Sequence, residues 1–184
     1  MPPHEAQTIE NLAAPERKAY LAARLTGVVL AACALVPLKA AAAPPSGTSL
    51  TRSIDVSASP DAVWTAIGPF CAIKEWHPAI ATCSEVHAPT VRTLVTKDGK
   101  ATFVEPETAR NDAKRQYSYT FASAPIPVSH YAATIGVTAK KPGGATITWH
   151  GTWTPEPGKE KAALDALTGI YESGLDALKA KFAK

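Results

Sequence analysis

One long helix pattern, standing alone behind a run of strand patterns, constrains this chain more than any other feature. From Lys159 to Lys184 the residues Leu164, Leu167, Ile170, Tyr171, Gly174, Leu175, Leu178 and Phe182 fall on one stripe, as an amphipathic helix requires. Before it lie six strand-like segments: Cys83 to His87, Val91 to Thr96, Ala101 to Ala109, Gln116 to Ala122, Ser129 to Ala139 and Ala145 to Trp153. Turn residues separate them at Lys97-Asp98-Gly99-Lys100, Asn111-Asp112-Ala113-Lys114, Pro125-Ile126-Pro127 and Pro142-Gly143-Gly144. The strands form a meander with one apolar face to cover, and the helix has one apolar stripe to bury. A curved antiparallel sheet holding the helix in its concave face satisfies both, which makes an α+β domain.

The N-terminal side of the domain adds one strand and two short helices. Leu50 to Val56 alternates as a half-buried strand does. Ser59 then suits a helix N-cap, Pro60 the first helical position and Asp61 the positive end of the helix dipole, with Ala62, Val63, Ala66 and Ile67 as the apolar face. Gly68-Pro69 ends that helix, and Cys71 to Trp76 leaves room for only a short second one before Pro78. The two short helices plug one end of the seven-stranded sheet, and the space between sheet and long helix is a cavity.

Residues 1–42 have the composition of a targeting segment rather than of a folded one. Arg17, Lys18 and Arg24 precede an uncharged run from Leu25 to Leu38, and Ala40 to Ala43 supply small residues for cleavage, placed after Ala42 with Ala43 as the second option. Two alternatives stand beside a cleaved signal peptide. Leu30-Ala31-Ala32-Cys33 resembles a lipoprotein box with Cys33 lipidated, and an uncleaved anchor is the other, although Pro37 and Lys39 interrupt the run. Residues 43–48, with Pro44-Pro45-Ser46-Gly47, are a linker, and 49–184 the folded domain. Removing the leader leaves 15 basic against 13 acidic residues, a balance that gives no argument for nucleic acid. Contact with a membrane is expected only through Cys33 or an uncleaved signal, and no protein partner is identified.

Export changes how the cysteines read. With Cys33 set aside, Cys71 and Cys83 are an even pair in a compartment that permits disulfides, where closing their loop removes about 3 kcal/mol of unfolded-chain entropy. Two buried free thiols are the alternative. A metal site is disfavoured, since there is no C-x-x-C and no second histidine at ligand spacing.

The order of elements, together with Ser59-Pro60-Asp61-Ala62-Val63-Trp64, Trp76-His77-Pro78 with Cys83, Pro125-Ile126-Pro127-Val128-Ser129-His130-Tyr131 and Trp149-His150-Gly151-Thr152-Trp153, resembles the START/Bet v 1-like (SRPBCC) superfamily. The polyketide cyclase/dehydrase-like and MxaD-like branch is the nearest flavour. The resemblance implies a helix-grip fold around a cavity for lipids, polyketides or other apolar molecules, with no cofactor. The plant abscisic acid receptors share this superfamily, and an ungapped comparison sets His77 at their pocket lysine, Glu105 at their pocket glutamate and Tyr131 at a pocket tyrosine. The receptors' gate pattern is absent and Pro127-Val128-Ser129 replaces their latch, so reception of that hormone is not supported.

Strand parity supplies a separate list of inward residues. With Trp149 inward, Ile147, Gly151 and Trp153 follow and His150 faces solvent. Tyr131, Ala133, Ile135 and Val137 share a face opposite His130. Phe103 and Glu105 are neighbours on one face, as are Tyr117 and Tyr119. The candidate ligand-binding residues are therefore His77, Phe103, Glu105, Tyr117, Tyr119, Tyr131, Ala133, Trp149 and Tyr171, while Trp64 and Trp76 suit the core and His87 has no visible partner. His77 with Glu105 is the sharpest chemical pairing, a histidine oriented by a carboxylate for proton transfer beside a carbonyl. Against it stands a structural His77 capping the second helix and an edge Glu105 in water. The function expected is binding of a small or medium hydrophobic ligand by an exported, periplasmic protein. The alternatives are a cyclase/dehydratase-like enzyme using His77 and Glu105, and an MxaD-like periplasmic accessory protein.

Overall fold

The computed structural model describes residues 47–183. The expected signal peptide, its cleavage site, the lipoprotein cysteine Cys33 and most of the linker lie outside the described residues. Strand β1 (Thr48–Val56) leads into helix α1 (Pro60–Ile67), a single 3-10 turn at Phe70–Ala72 and the one-turn helix α2 (Ile73–Trp76). Strands β2 (Ile80–Val86), β3 (Val91–Thr96), β4 (Thr102–Asn111), β5 (Gln116–Thr120), β6 (Val128–Ala139) and β7 (Ala145–Pro155) follow, and helix α3 (Glu160–Lys181) closes the chain.

The seven strands form one antiparallel sheet in the order β1-β7-β6-β5-β4-β3-β2, so each strand from β2 onward pairs with its neighbour in sequence. Strand β1 joins at the far side, running from Thr48 opposite Trp153 to Val56 opposite Ala145. Register shifts at Ile80/Thr82, Glu107/Ala109 and Ser129/Ala132 bend three strands, as β-bulges do, and help the sheet curve around α3. The last of these places His130 at φ 52, a left-handed conformation uncommon for a residue other than glycine.

Local chemistry accounts for the elements. The Ser59 hydroxyl accepts a hydrogen bond from the Ala62 amide at 3.3 Å, Pro60 opens the helix and Asp61 sits in its first turn. On α3 the buried residues are Ala163, Leu167, Tyr171, Gly174, Leu175 and Leu178, a stripe of helical period whose leucines each contribute roughly 1.5–3 kcal/mol by leaving water. Leu164, expected on that stripe, is exposed, because it lies one residue and so about 100° round the helix from Ala163. The expected alternation of β7 is met: Ile147, Trp149, Gly151 and Trp153 are buried while His150 is exposed and bonds Thr51 across the β1–β7 pair.

Cys71 and Cys83 form a disulfide, with their Cα atoms 5.5 Å apart. It ties the 3-10 turn to the edge strand β2 and encloses α2 and His77 in its loop. Among the described residues no helix is long and apolar enough to cross a membrane.

Candidate functional site

A cavity of about 70 Å³ lies between the sheet and α3. The loop closed by the disulfide contributes Ile73, His77, Ala79 and Ile80; β3 and β4 contribute Leu94, Thr96, Phe103 and Glu105. Tyr119, Phe121, Tyr131 and Trp149 form the aromatic wall, and Leu167 and Ile170 of α3 close it. Ala79 is exposed and Thr96, Phe121 and Ile170 are partly exposed, and these four mark the mouth. The volume is well below the roughly 300–1000 Å³ of pockets that enclose drug-sized ligands. As it stands the space suits a small molecule, and a larger one requires the wall to yield.

Of the sequence-derived candidates, His77, Phe103, Glu105, Tyr119, Tyr131 and Trp149 line the cavity. Tyr117, Ala133 and Tyr171 are buried but stand behind the wall. Tyr117 turns to Phe70 and Trp64, at ring-centroid distances of 5.4 and 6.0 Å. Ala133 sits in the sheet between Tyr119 and Gly151, and its short methyl is overshadowed by the Tyr119 ring beside it. Tyr171 stacks flat on the far side of Trp149, with centroids 4.4 Å apart and planes 8° from parallel.

Two glycines make this packing fit. A Cβ at Gly151 would come within 2.2 Å of the Tyr171 hydroxyl oxygen, so only glycine lets that side chain reach the sheet. A Cβ at Gly174 would meet His77 at 2.8 Å and both Trp149 and Trp76 at 3.1 Å, so α3 settles against the cavity wall because position 174 has no side chain.

His77 is a structural joint. Its Nε2–H donates to the Ile170 carbonyl at 3.1 Å, and its Nδ1 accepts from the Ala79 amide at 3.2 Å. A carbonyl on one nitrogen and an N–H on the other fix the neutral tautomer with the proton on Nε2. Burial holds the imidazole below its ordinary pKa; the Ile170 carbonyl opposes this, and the charges of Arg92 and Lys97 add to it.

Glu105 is engaged elsewhere. It stands opposite Arg92 in the β3–β4 register; its Oε2 accepts from Nε at 2.6 Å and lies in ion-pair contact with Nη2 at 2.6 Å, a nitrogen that makes no hydrogen bond of its own. The Arg92 Nη1 donates to the Phe70 carbonyl at 2.5 Å, while its guanidinium lies over Phe70 and Tyr119, 4.1 and 4.9 Å from the ring centroids. Burial pushes the Glu105 carboxyl above its ordinary range and Arg92 pulls it back. For Arg92, burial works against the charge, but Glu105, Tyr117 and Tyr119 outweigh it and keep the guanidinium protonated. An arginine cation with no exposed surface needs its carboxylate, so the pair is ionic. His77 and Glu105 consequently do not form the hydrogen-bonded pair that proton transfer would use: each has its partners in a different part of the wall. Glu105 is also buried, not at an edge in water.

Arg92 escaped the inward list, although the signal was present. In Val91–Thr96 its parity is that of Leu94 and Thr96, and an inward arginine calls for an acid on the neighbouring strand. Through the aromatic wall, a chain of polar groups links sheet and helix. The Trp149 indole N–H donates to the Tyr119 hydroxyl at 3.0 Å, that hydroxyl lies 3.5 Å from the one on Tyr131, and Tyr131 bonds Tyr171 at 2.8 Å. Burial raises all three phenols above their ordinary pKa, so they are neutral hydrogen-bonding groups at physiological pH.

Comparison with known proteins agrees with this architecture. Residues 47–183 match the sequence model described as polyketide cyclase/dehydrase and lipid transport. Among solved structures, the protein XoxI from Bacillus cereus is 34% identical, with a TM-score of 0.70 over 73% of this chain and 95% of its own. A solution structure of a protein from Thermobifida fusca is 27% identical, with a TM-score of 0.65 over 73% of this chain and 92% of its own. The Zhui aromatase/cyclase from Streptomyces is 14% identical at a TM-score of 0.63, over 73% of this chain and 93% of its own, and shows the shared fold alone. No curated protein matches the sequence. A Bet v 1-like helix-grip domain over its described length, the chain belongs to the polyketide cyclase/dehydrase and lipid transport family.

Proposed function

We propose that this protein binds a small apolar ligand in the cavity between sheet and α3 and does so outside the cytoplasm. The observation that carries the reading is the cavity wall: it is mostly aliphatic and aromatic, and His77, Thr96 and the tyrosine hydroxyls in it are tied to protein partners. Such a wall holds a molecule by burial of apolar surface and by ring contacts, worth about 25 cal/mol per Å² removed from water. Binding is favoured over catalysis by the state of His77. Its only basic nitrogen already accepts from Ala79, so it has no free lone pair with which to take a proton from a substrate.

Export rests on the leader composition and on the Cys71–Cys83 disulfide, a bond at home in an oxidising compartment. N-terminal sequencing of the mature protein from a periplasmic fraction tests this, with Ala43 as the expected first residue; a cytosolic product beginning at Met1 refutes it. Binding is tested by titrating the protein with small apolar aromatics while following the Trp149 indole N–H in NMR spectra. A saturable shift of that resonance is expected. Shifts restricted to the partly exposed Trp64 would place the probe on the surface and refute the cavity as the site.

A further inference from the structure

The polar groups around the cavity are taken up by the protein, with one exception. His77 uses both ring nitrogens. The Thr96 hydroxyl is held by Asp98 and Ala101, and those of Tyr119 and Tyr131 belong to the chain running from Trp149 to Tyr171. Glu105 differs because both guanidinium contacts fall on the same oxygen, Oε2. Its Oε1 accepts no hydrogen bond from any described residue and keeps some accessible surface, while the side chain lines the cavity. A carboxylate oxygen is a strong acceptor, and this one belongs to a side chain that lines the cavity together with Leu94, Phe103 and Ile80.

We infer that the cavity selects a neutral apolar ligand carrying a hydroxyl, which donates to Glu105 Oε1, and rejects the carboxylate of the same carbon skeleton. The inference rests on the binding function proposed above and adds the class of ligand. Arg92 is what makes the site possible: it keeps Glu105 ionised in an apolar wall while its Nε hydrogen bond and its Nη2 contact both fall on Oε2, so the acceptor is held in place with Oε1 free of hydrogen bonds from the described residues. A hydroxyl completes that oxygen's hydrogen bonding at the centre of a dry pocket, where a bond to a charged group is worth about 1.5–3 kcal/mol. A ligand without a donor leaves the oxygen desolvated and unpaired. A carboxylate ligand brings a second negative charge against Glu105, while the Arg92 charge lies behind it, already neutralised and outside the lining.

The test uses three ligands built on one ring, phenol, toluene and benzoate, titrated into the unmodified protein by calorimetry at neutral pH with the Trp149 indole N–H as the locator. In a purely apolar cavity toluene binds better than phenol, because phenol must strip water from its hydroxyl. With Glu105 Oε1 as the acceptor the order reverses: phenol should bind at least about tenfold more tightly than toluene, with benzoate at least about tenfold weaker than phenol. Toluene equal to or tighter than phenol, or benzoate matching phenol, overturns the inference and leaves the binding function standing. If none of the three moves the Trp149 resonance, the binding function itself fails and the inference with it. Glu105→Gln, checked for native circular dichroism, should lose most of the preference for phenol over benzoate; an unchanged preference in a folded variant overturns the assignment to Glu105. The three-ligand order in the unmodified protein decides the matter even if that variant does not fold.

Discussion

Removing one member of the Arg92–Glu105 pair should be far more damaging than removing both, and in a way that depends on which member goes. Arg92 has no exposed surface and Glu105 only 4%, so either left alone is a charge buried without its partner. Such losses cost about 3–5 kcal/mol, a large share of the roughly 5–15 kcal/mol that holds a domain together. Glu105→Leu strands the guanidinium, which cannot escape by losing its proton, so that penalty should be flat between pH 5 and 9. Arg92→Met strands the carboxylate, which can escape by taking a proton. Its folded-state pKa, raised by burial, then has no guanidinium to oppose it. The folded state of Arg92→Met therefore binds more protons than the unfolded state, where the carboxyl titrates near its ordinary value of about 4.3. Stability is fully retained below that unfolded value and is lost as the pH rises through the folded value. The double variant Arg92→Met/Glu105→Leu should recover most of the loss, since apolar side chains of similar volume replace buried ion pairs at little cost. Urea unfolding of the four proteins, followed by circular dichroism at several pH values with the disulfide intact, measures the cycle. Single-variant costs below about 1 kcal/mol that simply add would refute the coupling, and a pH-independent Arg92→Met would refute the protonation argument.

Three further outcomes follow from the same packing. Reducing the Cys71–Cys83 disulfide, or replacing both cysteines by alanine, should lower the unfolding free energy by about 3 kcal/mol in a urea titration, because the loop it closes has a sequence separation of 12. His77 is held below its ordinary pKa by burial, so its contribution to stability is full above about pH 6.5, where the unfolded histidine titrates, and is lost as the pH falls through the folded value. His77→Gln should accordingly flatten the pH dependence of the melting temperature on the acid side of neutrality. Gly151→Ala puts a methyl 2.2 Å from the Tyr171 hydroxyl oxygen and should cost about 1–3 kcal/mol of overpacking, and Tyr171→Phe in the same chain should return part of it.

The fold was legible because its two periods are clean. Leu167, Tyr171, Leu175 and Leu178 mark one helix face, and the alternation of Ile147, Trp149, Gly151 and Trp153 marks one sheet face. Turn residues separated the strands well enough that β3 runs from Val91 to Thr96 as read from the sequence. Strand β2 begins earlier than expected, at Ile80 rather than Cys83, because pairing with Thr96 extends it past the point where local pattern gives a signal. The site was legible only as a list of inward positions. Strand parity shows that Tyr117 is buried and the helical stripe that Tyr171 is, but whether a buried ring meets empty space or another ring depends on the side chains around it, and here Phe70 and Trp149 fill those places. The roles of His77 and Glu105 were less visible still. His77 is set by a carbonyl from α3, a contact 93 residues away in sequence, and Glu105 by an arginine whose inward parity needs a partner strand to make sense.

Occupation of the cavity beneath α3 by a ligand is tested most directly by the mass of what the protein carries. Protein purified from its own cells without denaturant, measured by native mass spectrometry beside the variant Ala79→Trp, gives the comparison. Ala79 is at the mouth and exposed, so the larger side chain can close the entrance without straining the core. A reproducible small apolar adduct on the unmodified protein, absent from a folded Ala79→Trp, is the expected result. No adduct, or the same adduct on both proteins, would contradict it.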